Sequence, residues 1–520
     1  LWSKKGGSVE ILYNGLKLPE KWPPDYISIE SLSEPHPLIE PPQIINADIG
    51  KQLFVDDFLV EETGLKRTFH KPELFSSNPV VFPDRPWEQI DNFSKIQSPH
   101  AMVFSDGVWY DPKDKLFKMW YMGGCFESTC YAVSQDGIKW EKPSLDIVEG
   151  TNIVHTVQRD SSTVWLDLEE IDERKRYKFF VFEHPKAFGN LSVYFSGDGI
   201  HWGEKILETG RCGDRTTVFY NPFRKKWVYS LRDFIKDGPG RIRRYYETDD
   251  IINNSNWKDL SEVCVWIGSD RLDLIREDLK IPCQLYNLDC AGYESILLGL
   301  FSIWRGHPDY RQKINEICTG FSRDGFHWYR PDRTPFIGVS ERYGDWNWSN
   351  VQSAGGCCLV VNDKLYFYFS GRAGIKGSSE SGISSTGLAI LRRDGFASMD
   401  AEDKEETLTT RKIIFSKRHL FVNVSTEKGY LLAEILDENN NPVEPFSKER
   451  CVPVSCNSTS TPVKWQNVEN LSTVAGKPVR IRFYLKNGSL YSFWFSKDNC
   501  GKSDGFVAAG GPGFETNRDI

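Results

Sequence analysis

One seven-residue signature, Ser-x-Asp-Gly-x-x-Trp, recurs along this chain and restricts its fold more than any other feature. It is complete at Ser134-Gln-Asp136-Gly137-Ile-Lys-Trp140, at Ser196-Gly-Asp198-Gly199-Ile-His-Trp202 and at Ser322-Arg-Asp324-Gly325-Phe-His-Trp328. Worn copies stand at Tyr246-Glu-Thr-Asp249-Asp250 with Trp257, and at Arg393-Asp394-Gly395-Phe396. Asp-Gly supplies a tight turn in which glycine takes positive φ, and the Asp side chain can bond amides of the same turn. The Trp then anchors the next strand. Repetition at this spacing indicates one supersecondary unit used five times.

Ahead of each turn lie two runs with strand character. They are Ala101–Phe104 with Leu116–Trp120, Thr163–Leu166 with Tyr177–Phe182, and Thr217–Tyr220 with Trp227–Tyr229. The last two units have Cys283–Tyr286 with Ile296–Trp304, and Cys357–Val361 with Leu365–Phe369. A strand on each side of the Asp-Gly turn makes four per unit, and four-stranded units around an axis make a β-propeller. The turn resembles the Asp-box of sialidases and other propeller glycosidases, where its role is structural. The fifth unit lacks the continuation seen after Trp140 and Trp328. Phe69-His-Lys-Pro72 is expected to supply it and so to remove two free edges.

The expected fold is therefore all-β: a five-bladed β-propeller over 51–400 followed by a C-terminal β-sandwich over 401–520, with a Pro-rich lead over 1–50. The sandwich is read from Leu431–Ile435, Val479–Phe483 and Leu490–Trp494, separated by turns at Asn439-Asn-Asn-Pro442 and Asn487-Gly488.

Net charge is −8 with no basic stretch, which argues against a nucleic-acid partner. No apolar run reaches membrane-span length. The 12 Cys show no Cys-x-x-Cys pair, and no metal or cofactor motif is present. Cys125/Cys130 and Cys451/Cys456 could pair in an oxidising compartment or stay buried thiols. Seventeen Trp offer flat faces that suit sugar rings or a propeller core.

In a propeller, residues before each first strand and at the end of each second strand line one end of the central channel. Those places hold His100, Arg159, Asp160, Asp214, Arg215, Glu183, His184, Arg232, Asp233, Arg305 and Arg372, and Glu294 stands near the fourth hairpin. Glycoside hydrolysis uses two carboxyl groups. Asp160, Glu183 and Asp214 form the expected catalytic set. His100, Arg159, His184, Arg215, Arg232, Asp233, Glu294, Arg305 and Arg372 are the expected substrate-binding residues. Guanidinium forks match carboxylates, so this many arginines suggest an acidic sugar, unless they only neutralise the aspartates.

Lys51-Gln-Leu-Phe-Val-Asp-Asp-Phe58, Asp214-Arg-Thr-Thr-Val-Phe-Tyr-Asn-Pro-Phe223 and Trp227-Val-Tyr-Ser-Leu-Arg232 resemble bacterial propeller proteins near glycoside hydrolase family 32. Within that group the chain is most similar to family 143. The resemblance implies cleavage of the ulosonic acid Dha from the pectin rhamnogalacturonan II. It also implies a periplasmic or extracellular site of action, although no signal peptide is visible in this chain. Gln97-Ser98-Pro99-His100-Ala101 lacks the first-blade Asp of family 32, whereas Arg159-Asp160 matches its Arg-Asp-Pro start with Ser161 in place of Pro. A neutral furanosidase and a non-catalytic carbohydrate-binding propeller are the alternative readings.

Overall fold

The computed structural model describes residues 10–24, 35–184 and 187–520. The rest of the expected lead, 1–9 and 25–34, lies outside the described residues. The fold is mostly β, with only two four-residue α-helices among the described residues.

Five antiparallel sheets follow one another along the chain. In the first, Ala101–Met102 and Val108–Asp111 pair with Leu116–Gly123, followed by Ser128–Ser134 and Ile153–His155. The second runs Arg159–Leu166, Tyr177–Glu183, Phe188–Ser196 and Leu207–Gly213. The third runs Thr217–Asn221, Lys226–Ile235, Gly240–Thr248 and Cys264–Gly268. The fourth has Gln284–Glu294, Ile296–Gly306 and Ile314–Ser322, with its outer position reduced to isolated bridges at Tyr329 and Ile337. The fifth joins Asn350–Ser353 and Leu359–Val361 to Lys364–Arg372, then Ser384–Arg392 and Glu73–Leu74. Each sheet contacts the next, and the fifth contacts the first, where His100 bridges Ser384. The series is a closed ring.

Middle strands sit between neighbouring sheets and are buried on both faces. This explains why Phe179–Phe182, within Tyr177–Glu183, reads as a continuous apolar run rather than an alternating one. Large aromatics fill the wedges between sheets. Trp109 meets Trp165 at 4.6 Å, and Trp165 meets Trp227 at 5.9 Å, one ring from each of three sheets. These tryptophans are core residues.

The complete Asp-Gly turns behave as their chemistry requires. Asp136 Oδ1 accepts from the amides of Ile138 and Lys139, both at 2.8 Å, and Ser134 Oγ accepts from Gly137 at 2.8 Å. Gly137 has φ 73°, and a Cβ there would lie 2.8 Å from the Tyr368 hydroxyl. The worn fifth copy differs. Asp394 turns inward and accepts from Lys51 Nζ at 2.9 Å, Ser492 Oγ at 3.0 Å, Asn423 Nδ2 at 3.0 Å and the Tyr293 hydroxyl at 2.6 Å. It fastens the ring to the C-terminal part.

The strand that completes the fifth sheet begins just after Pro72. Glu73 and Leu74 pair with Ile390 and Ala389, whereas Phe69 pairs with Ala397 in a C-terminal sheet. Residues 52–69 likewise pair with C-terminal strands: Leu53 with Ser492, and Thr63 with Leu408. Two further sheets are built this way. One is ordered Asn457–Pro462, His419–Ser425, Gly488–Ser496, Ala397–Ala401, Lys66–Phe69; the other Val60–Thr63, Glu406–Thr410, Arg480–Lys486, Tyr430–Leu436. Phe493, Phe495, Phe483 and Ile435 from these sheets share one apolar cluster with Phe54 and Phe58. All 12 cysteines are free thiols, the two suggested pairs included.

Candidate active site

The innermost strands of the ring start at one end of it. So do the third strands, because the second strand of each sheet runs back between them. That end gathers the charged side chains.

Asp160 is the second residue of the strand Arg159–Leu166, where the pairing register with Tyr177–Glu183 shifts between Arg159 and Ser162. Such an irregularity lets a strand end re-aim its side chains. Arg159 turns inward, fully buried, and its guanidinium forks onto Asp106 at 2.8 and 2.9 Å. Asp160 is left with Oδ1 buried and without a hydrogen-bond partner among the described residues. Burial pushes its carboxyl up to about 7, the charge of Asp214 adds to this, and Arg215, Lys313 and Arg372 oppose it.

Asp214 stands just before the inner strand of the third sheet. Its side chain is partly exposed and forms a 3.6 Å ion pair with Arg232. Arg232 also donates to the Ala187 carbonyl at 2.9 Å. The next residue, Arg215, is 2% exposed, with its guanidinium carbon 3.8 Å from the centre of the Phe104 ring. It donates to Ser105 Oγ at 3.1 Å, while its Nε and Nη1 have no acceptor among the described residues. Arg372 approaches the same Phe104 ring at 5.3 Å and donates to Ser381 Oγ at 3.2 Å, and its Nε has no acceptor among the described residues. Burial lowers its pKa. Among the described residues neither Arg215 nor Arg372 pairs with a carboxylate.

Three further cations line this end. Arg243 is fully buried and donates to the carbonyls of Arg215 and Tyr286; burial and then the neighbouring Arg215 lower it to about 9. Arg241 donates to Gln284 Oε1 at 2.6 Å and lies over the rings of Tyr286 and Trp304 at 5.2 and 5.5 Å. Lys313 donates to the Tyr286 hydroxyl at 2.6 Å. None of the three stands at a first-strand start or a second-strand end. Arg241 and Arg243 begin the third strand of their sheet and Lys313 directly precedes one, so strand polarity was the signal that could have found them.

The remaining expected residues are placed elsewhere or otherwise engaged. Glu183 accepts from the Tyr194 hydroxyl at 2.7 Å and lies 3.9 Å from Lys205; burial alone would raise it, but these partners hold it below the usual value. It does not join Asp160 and Asp214. His184 is exposed at φ 65°. Asp233 accepts from Arg244 at 2.7 Å. Arg305 is held by Glu316 at 3.1 Å and the Leu274 carbonyl at 2.9 Å. His100 is buried at the site end, and burial with the charge of Arg372 lowers it to about 3. Glu294 closes the strand that Gln284 opens, ten residues or roughly 33 Å further along. It is buried at the opposite end of the ring, where it accepts from the Lys51 amide at 3.0 Å and Ser503 Oγ at 2.7 Å.

No family model and no curated protein matches the chain. Several solved structures do, at a distance. An N-acetylgalactosamine deacetylase from F. plautii aligns at 12% identity over 61% of this chain and 97% of its own, with TM-score 0.41. A family 43 arabinoxylan arabinofuranohydrolase from Bacillus subtilis aligns at 9% identity over 77% and 96%, with TM-score 0.37. An exo-β-1,3-galactanase from Phanerochaete chrysosporium aligns at 10% identity over 79% and 99%, with TM-score 0.34.

Two carboxyl groups, one held near neutrality in its protonated form and one ion-paired, face a set of cations that outnumbers them. Such an arrangement can hand a proton to a leaving oxygen and hold an anion beside it.

Proposed function

We propose that the chain is a glycoside hydrolase with a five-bladed β-propeller catalytic domain and a C-terminal β-sandwich, and that it removes an acidic sugar from a plant pectic glycan. The observation that carries this reading is the meeting of Asp160 and Asp214 with two buried arginines, Arg215 and Arg372, that form no ion pair with a carboxylate among the described residues. A buried guanidinium without a counter-charge is costly, and a substrate carboxylate would relieve that cost. Arg159, Arg232 and Arg305 do neutralise protein carboxylates, so the acidic-sugar argument rests on Arg215 and Arg372 alone.

Asp160 is the proton donor. Its carboxyl gives its proton to the glycosidic oxygen as the bond from that oxygen to the sugar breaks, which requires a carboxyl still protonated near pH 7. Asp214 is the second carboxylate, acting on the sugar or on the attacking water. The separation of the two carboxyl groups selects between these routes. Suitable substrates are a 2-keto ulosonic acid such as Dha, or a uronic acid, in a polymer such as rhamnogalacturonan II. A cell-wall polymer fits a periplasmic or extracellular site of action, and no described helix is long and apolar enough to cross a membrane.

The test is hydrolysis of rhamnogalacturonan II oligosaccharides by the wild type beside Asp160→Asn and Asp214→Asn. Release of an acidic sugar that disappears in both variants supports the assignment. Activity confined to neutral arabinofuranosides or fructosides overturns the acidic substrate and leaves the carboxyl pair in place. Sugar binding with no hydrolysis of any glycoside overturns catalysis and leaves a binding protein.

A further inference from the structure

The cations around the two aspartates lie at two depths. Arg215, Arg243 and Arg372 are buried, with exposures of 2, 0 and 6%. Arg241 and Lys313 are half-buried, nearer the mouth. Both converge on one ring: Arg241 lies 5.2 Å from the centre of Tyr286, and Lys313 Nζ lies 4.8 Å from it while donating to its hydroxyl at 2.6 Å. Gln284 fixes Arg241 from below at 2.6 Å, and Trp304 packs on its guanidinium at 5.5 Å. Among the described residues neither cation pairs with a carboxylate. The side chain between them responds to the field. Burial is the largest influence and would raise the Tyr286 phenol, as would Asp214 and Asp160, yet its pKa is lowered, with the charge and the hydrogen bond of Lys313 acting in that direction.

One sugar carboxylate held by Arg215 and Arg372 leaves the outer pair unused. A guanidinium pinned between an amide and two rings has already lost its rotamer freedom, so little more entropy is lost when it binds an anion. We infer that Arg241 and Lys313, flanking Tyr286, form a second anion subsite that takes a carboxylate on the sugar next to the one being released. This rests on the reading of the inner site as one for an acidic sugar. It narrows the substrate to an acidic oligosaccharide in which the neighbouring residue is also charged. The deep cations hold the terminal sugar, and the half-exposed ones meet the part of the chain that leaves through the mouth.

The experiment is calorimetric titration of the full-length Asp160→Asn protein with galacturonate, with α-1,4-digalacturonate, and with digalacturonate methyl-esterified on its reducing residue, at low and high salt. Digalacturonate is expected to bind about tenfold or more tightly than galacturonate, because a second charge-assisted contact forms. Esterification, Arg241→Gln, Lys313→Met and high salt should each erase most of that advantage while galacturonate affinity changes by about twofold or less. Equal affinity for the monomer and dimer, or equal losses for both in the Arg241 and Lys313 variants, overturns the subsite. If galacturonate still binds through Arg215 in that case, the acidic-sugar reading survives alone. Binding of neutral digalactose with no binding of either acid overturns both.

Discussion

Asp160 and Asp214 stand at the starts of adjacent inner strands, and the charge of Asp214 is the main influence after burial that keeps Asp160 protonated near neutrality. Neither residue is unusual alone. Burial raises the Asp160 carboxyl most, and Arg159, its sequence neighbour, is engaged by Asp106, so Asp160 Oδ1 has no hydrogen-bond partner among the described residues.

Removing either carboxyl should lower kcat by about 10²–10⁴-fold, the range for a positioned acid or base. Asp160→Asn and Asp214→Asn keep the shape of the side chain, so circular dichroism should match the wild type while release of the acidic sugar falls.

The pH profile should carry the signature of this pair. Activity needs Asp160 protonated, so kcat/KM should fall as pH rises through about 7. Asp214→Asn removes the like charge and should move that limb of the residual activity to lower pH. A limb that stays in place would show that another group sets it.

Stability follows with the opposite convenience. The folded-state pKa of Asp160 lies above its ordinary value of 3.8, so the native state binds more protons than the unfolded state between 3.8 and about 7. Its contribution is fully present below 3.8 and is lost as pH rises through about 7. Asp160→Asn should therefore gain melting temperature relative to the wild type across that window, with the difference levelling off above it. Thermal scans at pH 4, 6 and 8 measure this directly.

The arginines should divide into two classes. Arg215→Gln or Arg372→Gln should raise KM for an acidic sugar by about 10–100-fold, the scale of one charge-assisted contact, with little change for its methyl ester. Arg159→Met should instead leave Asp106 buried and unpaired and destabilise the fold by about 3–5 kcal/mol. Kinetics reads the first class and urea denaturation the second.

The Asp-Gly turns should prove structural. Gly137→Ala places a Cβ in left-handed backbone and against the Tyr368 hydroxyl, so it should cost at least about 1–2 kcal/mol while kcat stays unchanged. A kinetic effect without a stability effect would give the turn a role in the chemistry.

Much of this architecture was legible in the chain. A turn such as Ser134–Gly137 is made by residues three apart, so its hydrogen bonds are written locally. The count of strand units, the all-β class and the placing of Asp160, Asp214, Arg215 and Arg372 at one end follow from reading those turns in order. Partner choice did not. Arg159 and Arg215 each stand beside an aspartate near a first-strand start, yet one is consumed by Asp106 and the other is left open. Glu294 and Glu183 looked equivalent to the aspartates until strand direction sent one to the far end and a tyrosine engaged the other. Lys51 with Asp394 joins residues 343 positions apart, and strands near residue 60 complete sheets made of residues beyond 400. Local turn chemistry and strand composition were fixed by neighbours in sequence. Which charges are neutralised, and which remain available to a substrate, depends on side chains that only the closed ring brings within hydrogen-bonding distance, and on a desolvation that no single strand produces.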